Sequence, residues 1–448
     1  MNHNLPYPEI RRAVASRAGL VAGIKILTPV LIFGVFAVAL GWQTWGPWGL
    51  FWKVLLLPFL YGLAPNVQTR ISLIAGYFLG AFWAMIPVFD AFWPAYAPWV
   101  GIGGWMGSVL IVALPWWVAA LFTRGNQRLL TAFGLSVVMT SIPPFGAWGL
   151  ASPLISAGYY FPGMGISGLF LDLILLLVFV AAGQIFRQIF DAYSRAAFIG
   201  KTSIGLPIAI GTAIILMLAI SLSCNLFYAP VASPVPAFGV QTNLPGQKGA
   251  PSFFVMLHRD EQVARIGEAA VRRDPPGSWI LFPENTLGFY YPNLFSNSIL
   301  RPLLTAAEKS GDTLLIGSDD STDKGYWDAL NVYAPHGSFV LPARQPIPLG
   351  EWRPWQGHSA IASWWSFGPS QINGEPVALS MCYEELLVWP TAWSFIGAEQ
   401  KPVLMLAPQD HDWEKGRTEA RIQENALRAW SRLFNTPVLQ ADNVPRRA

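Results

Sequence analysis

Charged residues are scarce in this sequence. Asp, Glu, Lys and Arg make up 12% of the 448 residues, against roughly 25% in an ordinary soluble domain. The shortage makes a wholly soluble protein a poor reading. The hydrophobic share of 53%, with 21 Trp, excludes a disordered or collagen-like chain. With two Cys, no disulfide framework is available. No CxxC or HExxH occurs, so neither a structural metal nor a cofactor is expected. The net charge of +3 is too small for a nucleic-acid binder. What is abundant is long apolar sequence, in a chain with room for two or three domains.

The charges are unevenly placed. Up to about residue 228 the chain is a succession of apolar stretches, near 20–40, 48–64, 71–89, 100–122, 129–143, 166–186 and 203–223. Each is about the length that a bilayer-spanning helix needs, and together they predict about seven spans. Arg11, Arg12 and Arg17, then Arg70, then Arg124 and Arg128, then Arg187, Arg195 and Lys201 fall in alternate connections. The other connections carry Trp, Tyr and Pro and no Lys or Arg. The positive-inside rule then places the N-terminus in the cytoplasm. An odd number of spans sends everything beyond 228 to the opposite face, the periplasm for a bacterial inner membrane. Two charges lie within spans. Lys25 can snorkel, and Asp172 either faces the interface or a buried hydroxyl, or belongs to a proton or substrate relay.

Residues 229–251 are rich in Pro, Ala and Gly, as a connector leading into the first strand of a second domain would be. From 252 to 448 the composition becomes that of an ordinary extramembrane domain. Short apolar runs at 238–241, 278–284, 312–318, 329–335, 377–384, 402–408 and 436–442 read as strands. Helix-period segments at 258–273, 296–310 and 416–434 lie between some of them. Alternating strands and helices predict an α/β or layered α+β domain.

Three segments carry candidate chemistry. One strand-like run ends in Pro283-Glu284-Asn285-Thr286, another in Cys382-Tyr383-Glu384, and a Pro-rich loop holds Arg344 and Glu351. A thiol nucleophile needs a base for its proton and a positive or hydrogen-bonding partner for the developing anion. Glu284 and Arg344 are candidates for those roles with Cys382. Taken singly, such residues are more often structural: a strand-end Cys is commonly a buried thiol, and a loop Glu is commonly solvated.

Taken in order, Val240-Gln241-Thr242-Asn243-Leu244-Pro245, the Pro-Glu-Asn-Thr at 283–286, Pro348-Leu349-Gly350-Glu351 and Cys382-Tyr383-Glu384 resemble the carbon–nitrogen hydrolase (nitrilase) superfamily, in its apolipoprotein N-acyltransferase branch. The membrane half, with Ser152 to Gly165 similar to a loop of that branch, fits the same resemblance. It implies a polytopic helical membrane domain followed by an αββα sandwich with a Glu–Lys–Cys triad. Glu284 would be the general base and Cys382 the nucleophile that carries an acyl thioester. Glu351, Tyr383 and Glu384 would support the site. A membrane phospholipid would donate the acyl chain, and a lipoprotein or other amine would accept it.

Two departures qualify the resemblance. Ala343 stands where the family has its Lys, with Arg344 following as a tentative replacement and Lys324 as a distant one. Arginine is planar and never neutral, so it is no equivalent of lysine. The tail ends at Ala448, where the family continues into further strands and a membrane segment, so the sandwich is expected to be truncated or differently closed. Both departures, with the loop 343–355, resemble the TraB-like conjugal transfer side branch. Two expectations follow: retained Cys-dependent acyltransferase or amidase chemistry in conjugation or envelope lipoprotein modification, or a catalytically weakened scaffold working with conjugation or envelope proteins.

Overall fold

The computed structural model describes residues 27–122, 126–194, 205–245, 252–290, 294–414 and 417–444. Arg11, Arg12, Arg17, Lys25, Arg124, Arg195 and Lys201, on which much of the orientation argument rests, lie outside them.

The first half is helical at every one of the apolar stretches. In order come α1 (Leu27–Thr44), α2 (Leu56–Leu63) after a 3-10 turn, α3 (Val67–Ala81), α4 (Met85–Phe92), α5 (Trp99–Leu121), α6 (Asn126–Ser141), the single turn α7 (Ala157–Tyr160), α8 (Gly165–Ser194) and α9 (Gly205–Phe227). Four of these, α1, α5, α8 and α9, are long and apolar enough to cross a membrane, and a fifth crossing arises if α3 and α4, bent by 56°, count as one span. α2 and α6 are shorter. The outward faces are apolar, with Leu31, Val35, Leu110, Ile215, Leu222 and Leu226 exposed, which suits hydrocarbon rather than water. α1 and α3 meet through small residues. A Cβ on Gly80 would stand 1.9 Å from the Val38 carbonyl oxygen, and one on Gly41 2.0 Å from that of Tyr77. Only glycine permits this approach. Asp172 is buried on α8, and the Ser156 hydroxyl lies within 3.1 Å and 2.9 Å of its two oxygens.

The second half holds β1 (Ala237–Gly239), α10 (Phe253–Arg273), β2 (Trp279–Leu281), β3 (Phe289–Tyr290), α11 (Leu294–Ser310), β4 (Thr313–Thr322), β5 (Gly325–Ala334), β6 (Gly337–Pro342), β7 (Ser370–Ile372), β8 (Glu375–Leu379), α12 (Val388–Trp393), β9 (Leu404–Asp410), α13 (Thr418–Phe434) and β10 (Val438–Asn443). One sheet runs β1-β2-β4-β5-β6 with β3 also on β4; the other runs β10-β9-β8-β7.

Side-chain parity along the strands builds the layers. Trp279, Leu281 and Leu315 of the first sheet share a core with Val377, Leu379, Leu404 and Leu406 of the second. The alternate residues Ile280, Leu314 and Ile316 pack instead on α10 and α11 through Val263, Val271, Leu300 and Leu303. On the far side, Ala378, Met405 and Ala407 face Ile422, Ala426 and Trp430 of α13. The result is an αββα sandwich.

The outer helix of that sandwich is also the floor of the membrane half. Residues of α13 belong to the same continuous core as Trp45, Phe51, Leu154 and Phe161. Arg432 donates to the Gly158 carbonyl at 3.1 Å, Asn425 to that of Pro47 at 3.1 Å, and Trp389 to that of Gly146 at 3.0 Å. The expected ragged end of the sandwich is closed locally. β10 pairs in parallel with β9, and its last residue bridges to Thr242. The Asn443 Oδ1 accepts from the Thr242 hydroxyl at 2.7 Å and the Leu244 N–H at 2.8 Å.

Candidate active site

Cys382 follows β8 as the first residue of a 3-10 turn, Cys382–Leu386. Its φ of +37° is in the left-handed region, which a non-glycine residue adopts only when its surroundings enforce it. Enforcement comes from Glu384. One oxygen of its buried carboxylate accepts from the backbone N–H groups of Arg344 and Gln345 at 2.5 and 2.8 Å, and the other accepts from that of Met381 at 3.0 Å. Glu384 thus ties the nucleophile turn to the 343–355 loop. Tyr383 donates to the Ala147 carbonyl at 2.9 Å and ties the same turn to the membrane half.

Glu284 reaches the thiol from the other sheet. It leaves the end of β2 and is hydrogen-bonded to Cys382. Its segment crosses directly over Gly317 of β4, where a Cβ would stand 2.3 Å from the Pro283 carbonyl oxygen and 2.7 Å from the Glu284 Cα. Arg259 of α10 clamps the same loop, donating to the carbonyls of Thr286, Asn285 and Pro245 at 2.7 Å each. The Glu284–Cys382 pair expected from the sequence is therefore brought together, with both side chains only 5% exposed.

The electrostatics are acidic throughout. Burial first, then Asp328, Glu351 and Asp410, raise the Glu284 carboxyl well above the usual range. Burial likewise raises Asp319 and Asp328, and lifts Glu351 and Asp410 to about 7. Glu351 accepts the Ile347 N–H at 3.0 Å. Burial, with Glu284 beside it, raises the Cys382 thiol. Such a carboxylate is a stronger base than a solvated one, but the thiol it serves is a weaker acid. Among the described residues no group of three or more His, Cys, Asp or Glu is arranged to hold a metal ion.

The proposed replacement for the lysine has other partners. The Arg344 guanidinium donates to the Ser366 carbonyl at 2.9 Å, the Ser394 hydroxyl at 3.0 Å and the Gly368 carbonyl at 2.9 Å. It fastens two loops. Lys324 is exposed in the turn of the β4–β5 hairpin. Ala343 packs in the inter-sheet core with Cys382, its methyl group filling space rather than bearing charge.

What the sequence reading missed lies at the end of β9 and on α13. The Asp410 N–H donates to the Cys382 sulfur, as does the Gln423 side-chain N–H at 3.7 Å. His411 contacts both Gln423 and Asp442. The available signal was the Asp-His pair closing the 402–408 strand run, the same strand-end position that drew attention to Glu284 and Cys382.

No family model matches the chain. Relatives do. The conjugal transfer protein TraB of Agrobacterium fabrum (strain C58) is 26% identical over 442 residues, spanning 93% of this chain and 92% of its own length. A probable conjugal transfer protein TraB of Sinorhizobium fredii (strain NGR234) is 26% identical over 430 residues, spanning 92% and 97% respectively. Among solved structures, a carbon–nitrogen hydrolase from Helicobacter pylori G27 is similar at a TM-score of 0.31 and 12% identity, covering 46% of this chain and 73% of that one. A carbon–nitrogen hydrolase superfamily protein from Xanthomonas campestris is similar at 0.30 and 12%, covering 46% and 76%.

Proposed function

We propose that this chain is a membrane-bound, Cys-dependent acyltransferase or amidase of nitrilase type, serving conjugal transfer or the modification of envelope lipoproteins. The observation that carries the reading is the buried Glu284–Cys382 pair at the junction of an αββα sandwich with a helical membrane module. The lengthwise similarity to two TraB proteins supports the conjugal setting, and the ordered motifs support the apolipoprotein N-acyltransferase-like branch. In this reading the membrane module spans a bacterial inner membrane about seven times, with its N-terminus cytoplasmic and the sandwich periplasmic. Trp355, Trp365 and Phe367, all exposed on the sandwich, suit a surface resting at headgroup level.

The chemistry follows from the pair. Glu284 takes the Cys382 proton, and the thiolate attacks the ester carbonyl of a phospholipid. The tetrahedral intermediate expels the lysolipid alkoxide, which takes the proton back from Glu284. An amine then attacks the thioester, its proton passes to Glu284, and Cys382 leaves as thiolate to be reprotonated.

The test is mass spectrometry of the Cys382 peptide from detergent-purified protein incubated with phospholipid. A fatty-acyl mass that neutral hydroxylamine removes, absent from Cys382→Ala, supports acyl transfer. An unmodified peptide, together with unchanged plasmid-transfer frequency in Cys382→Ala at normal protein levels, rejects it. Those results favour the second reading, a weakened scaffold, which is motivated by Ala343 in the lysine's place and by the other partners of Arg344.

A further inference from the structure

The thiol site has a strong base, an acidic surround and, among the described residues, no lysine contact. A thiolate formed there requires compensation from elsewhere, because a buried anion without a partner is costly. Two N–H donors already reach the sulfur, from the Asp410 backbone and the Gln423 side chain. The second is the end of a chain of groups. With its N–H on sulfur, the Gln423 amide turns its carbonyl oxygen to His411 Nε2, and the other ring nitrogen, Nδ1, lies 2.8 Å from the Asp442 carboxylate.

Hydrogen-bond bookkeeping fixes the ring's charge in this arrangement. A carboxylate and an amide oxygen are both acceptors, so both ring nitrogens donate, and a histidine with two N–H groups is an imidazolium. The reversed amide would set its NH2 against the ring and its oxygen against the sulfur, and would require a neutral ring. We propose that His411, acting through the Gln423 amide, is a positioning residue that supplies the positive polarisation stabilising the Cys382 thiolate. This rests on the nucleophilic role assigned to Cys382 above.

The surroundings favour the charged ring. Burial on its own would lower the His411 pKa, but the Asp442 hydrogen bond and charge, then Gln423 and Glu414, raise it overall. The described charged groups around it are Asp442 on β10, Glu414 in the loop after β9, and Arg417, whose guanidinium lies 3.8 Å from Asp442 and 3.6 Å from Glu424. Glu385, buried within the nucleophile turn, also bears on Asp442. Asp442 and Gln423 bond opposite nitrogens of the ring, so the Nε2–H meets the Gln423 amide, whose NH2 reaches the thiol. When Cys382 loses its proton to Glu284, His411 keeps both of its own. The sulfur then accepts from Gln423 and Asp410.

The experiment reads the thiol, not turnover. The full chain in detergent, in a Cys224→Ser background, is alkylated with iodoacetamide across pH 6–10, and the rate at Cys382 is followed by peptide mass spectrometry. Gln423→Met keeps side-chain volume and removes the relay; His411→Gln removes the charge; Asp442→Asn removes the group that holds the proton. Each is expected to slow alkylation at a given pH by roughly tenfold, the effect of raising the thiol by about one unit. A Gln423→Met profile that superimposes on the parent, in protein with unchanged melting and gel-filtration behaviour, overturns the proposal. The two ideas separate cleanly. Shifted profiles without any acyl-thioester leave the relay standing and remove acyl transfer; a thioester with unshifted profiles does the reverse.

Discussion

The Tyr383 hydroxyl lies 2.9 Å from the carbonyl oxygen of Ala147, 236 residues earlier in the chain. The residue after the nucleophile is thereby fastened to the connection between α6 and α7. Tyr383→Phe removes the donor and leaves that buried carbonyl unsatisfied. A cost of about 1–2 kcal/mol is expected, seen as a lower melting temperature in detergent. An unchanged melting temperature would show that the contact carries no stability.

Ala343→Lys would place an ammonium group in the core that holds Cys382, near Glu284 and Asp328, whose carboxyls burial and neighbouring acids raise above the usual range. Alkylation of Cys382 at pH 7 should then rise by roughly tenfold or more, since a cation beside the thiol favours its thiolate. The same variant should unfold no more easily than the parent at pH 8, because the new charge meets carboxylates. A large loss of stability with no gain in reactivity would mean that position 343 does not face the acids.

Gly317→Ala tests the crossing of the Glu284 segment over β4. The nearest atoms to the added Cβ are all backbone, at 2.3, 2.7 and 2.8 Å, so the segment itself must move. A shift approaching 1 Å at the base should lower the yield of thioester on the order of a hundredfold. Protein that remains folded and fully reactive would show that the loop relaxes without moving the carboxyl.

Stability should fall as pH rises. Glu351 and Asp410 start from ordinary values of 4.5 and 3.8 and reach about 7 in the folded protein. Between those limits the folded state binds more protons than the unfolded state, so the contribution is fully present below about pH 4 and is lost as pH passes through 7. Thermal unfolding between pH 5.5 and 8 should show a fall on the order of 5 °C, flattened in Glu351→Gln. A melting temperature that climbs over that interval would contradict the protonation assigned here.

Much of the architecture was legible because its causes are local. Apolar length placed a helix at each of the expected stretches, although α2 and α6 are too short to cross a membrane alone and α3 bends into α4. Short apolar runs bounded by Gly, Pro or Asp located seven strands. β3, β6 and β7 escaped notice: two are two or three residues long, and β6 begins with three exposed residues, so no alternating pattern marks it. Glu284 and Cys382 were found because each closes a strand within a recognisable motif. For Arg344, sequence proximity to the lysine position says nothing about direction, and its guanidinium donates to Ser366, Ser394 and Gly368. His411 and Gln423 lie 12 residues apart on separate elements, and only the packing of α13 on the second sheet unites them.

That packing has a consequence for biosynthesis. α13 supplies Gln423, rests on the Gly158 turn and follows Cys382 in the chain. Cys382 therefore leaves the ribosome before the helix that completes its surroundings, while the membrane helices that receive that helix are already made. Until α13 docks, the thiol is without its Gln423 donor, and the complete hydrogen-bonded surround of Cys382 exists only in the folded chain.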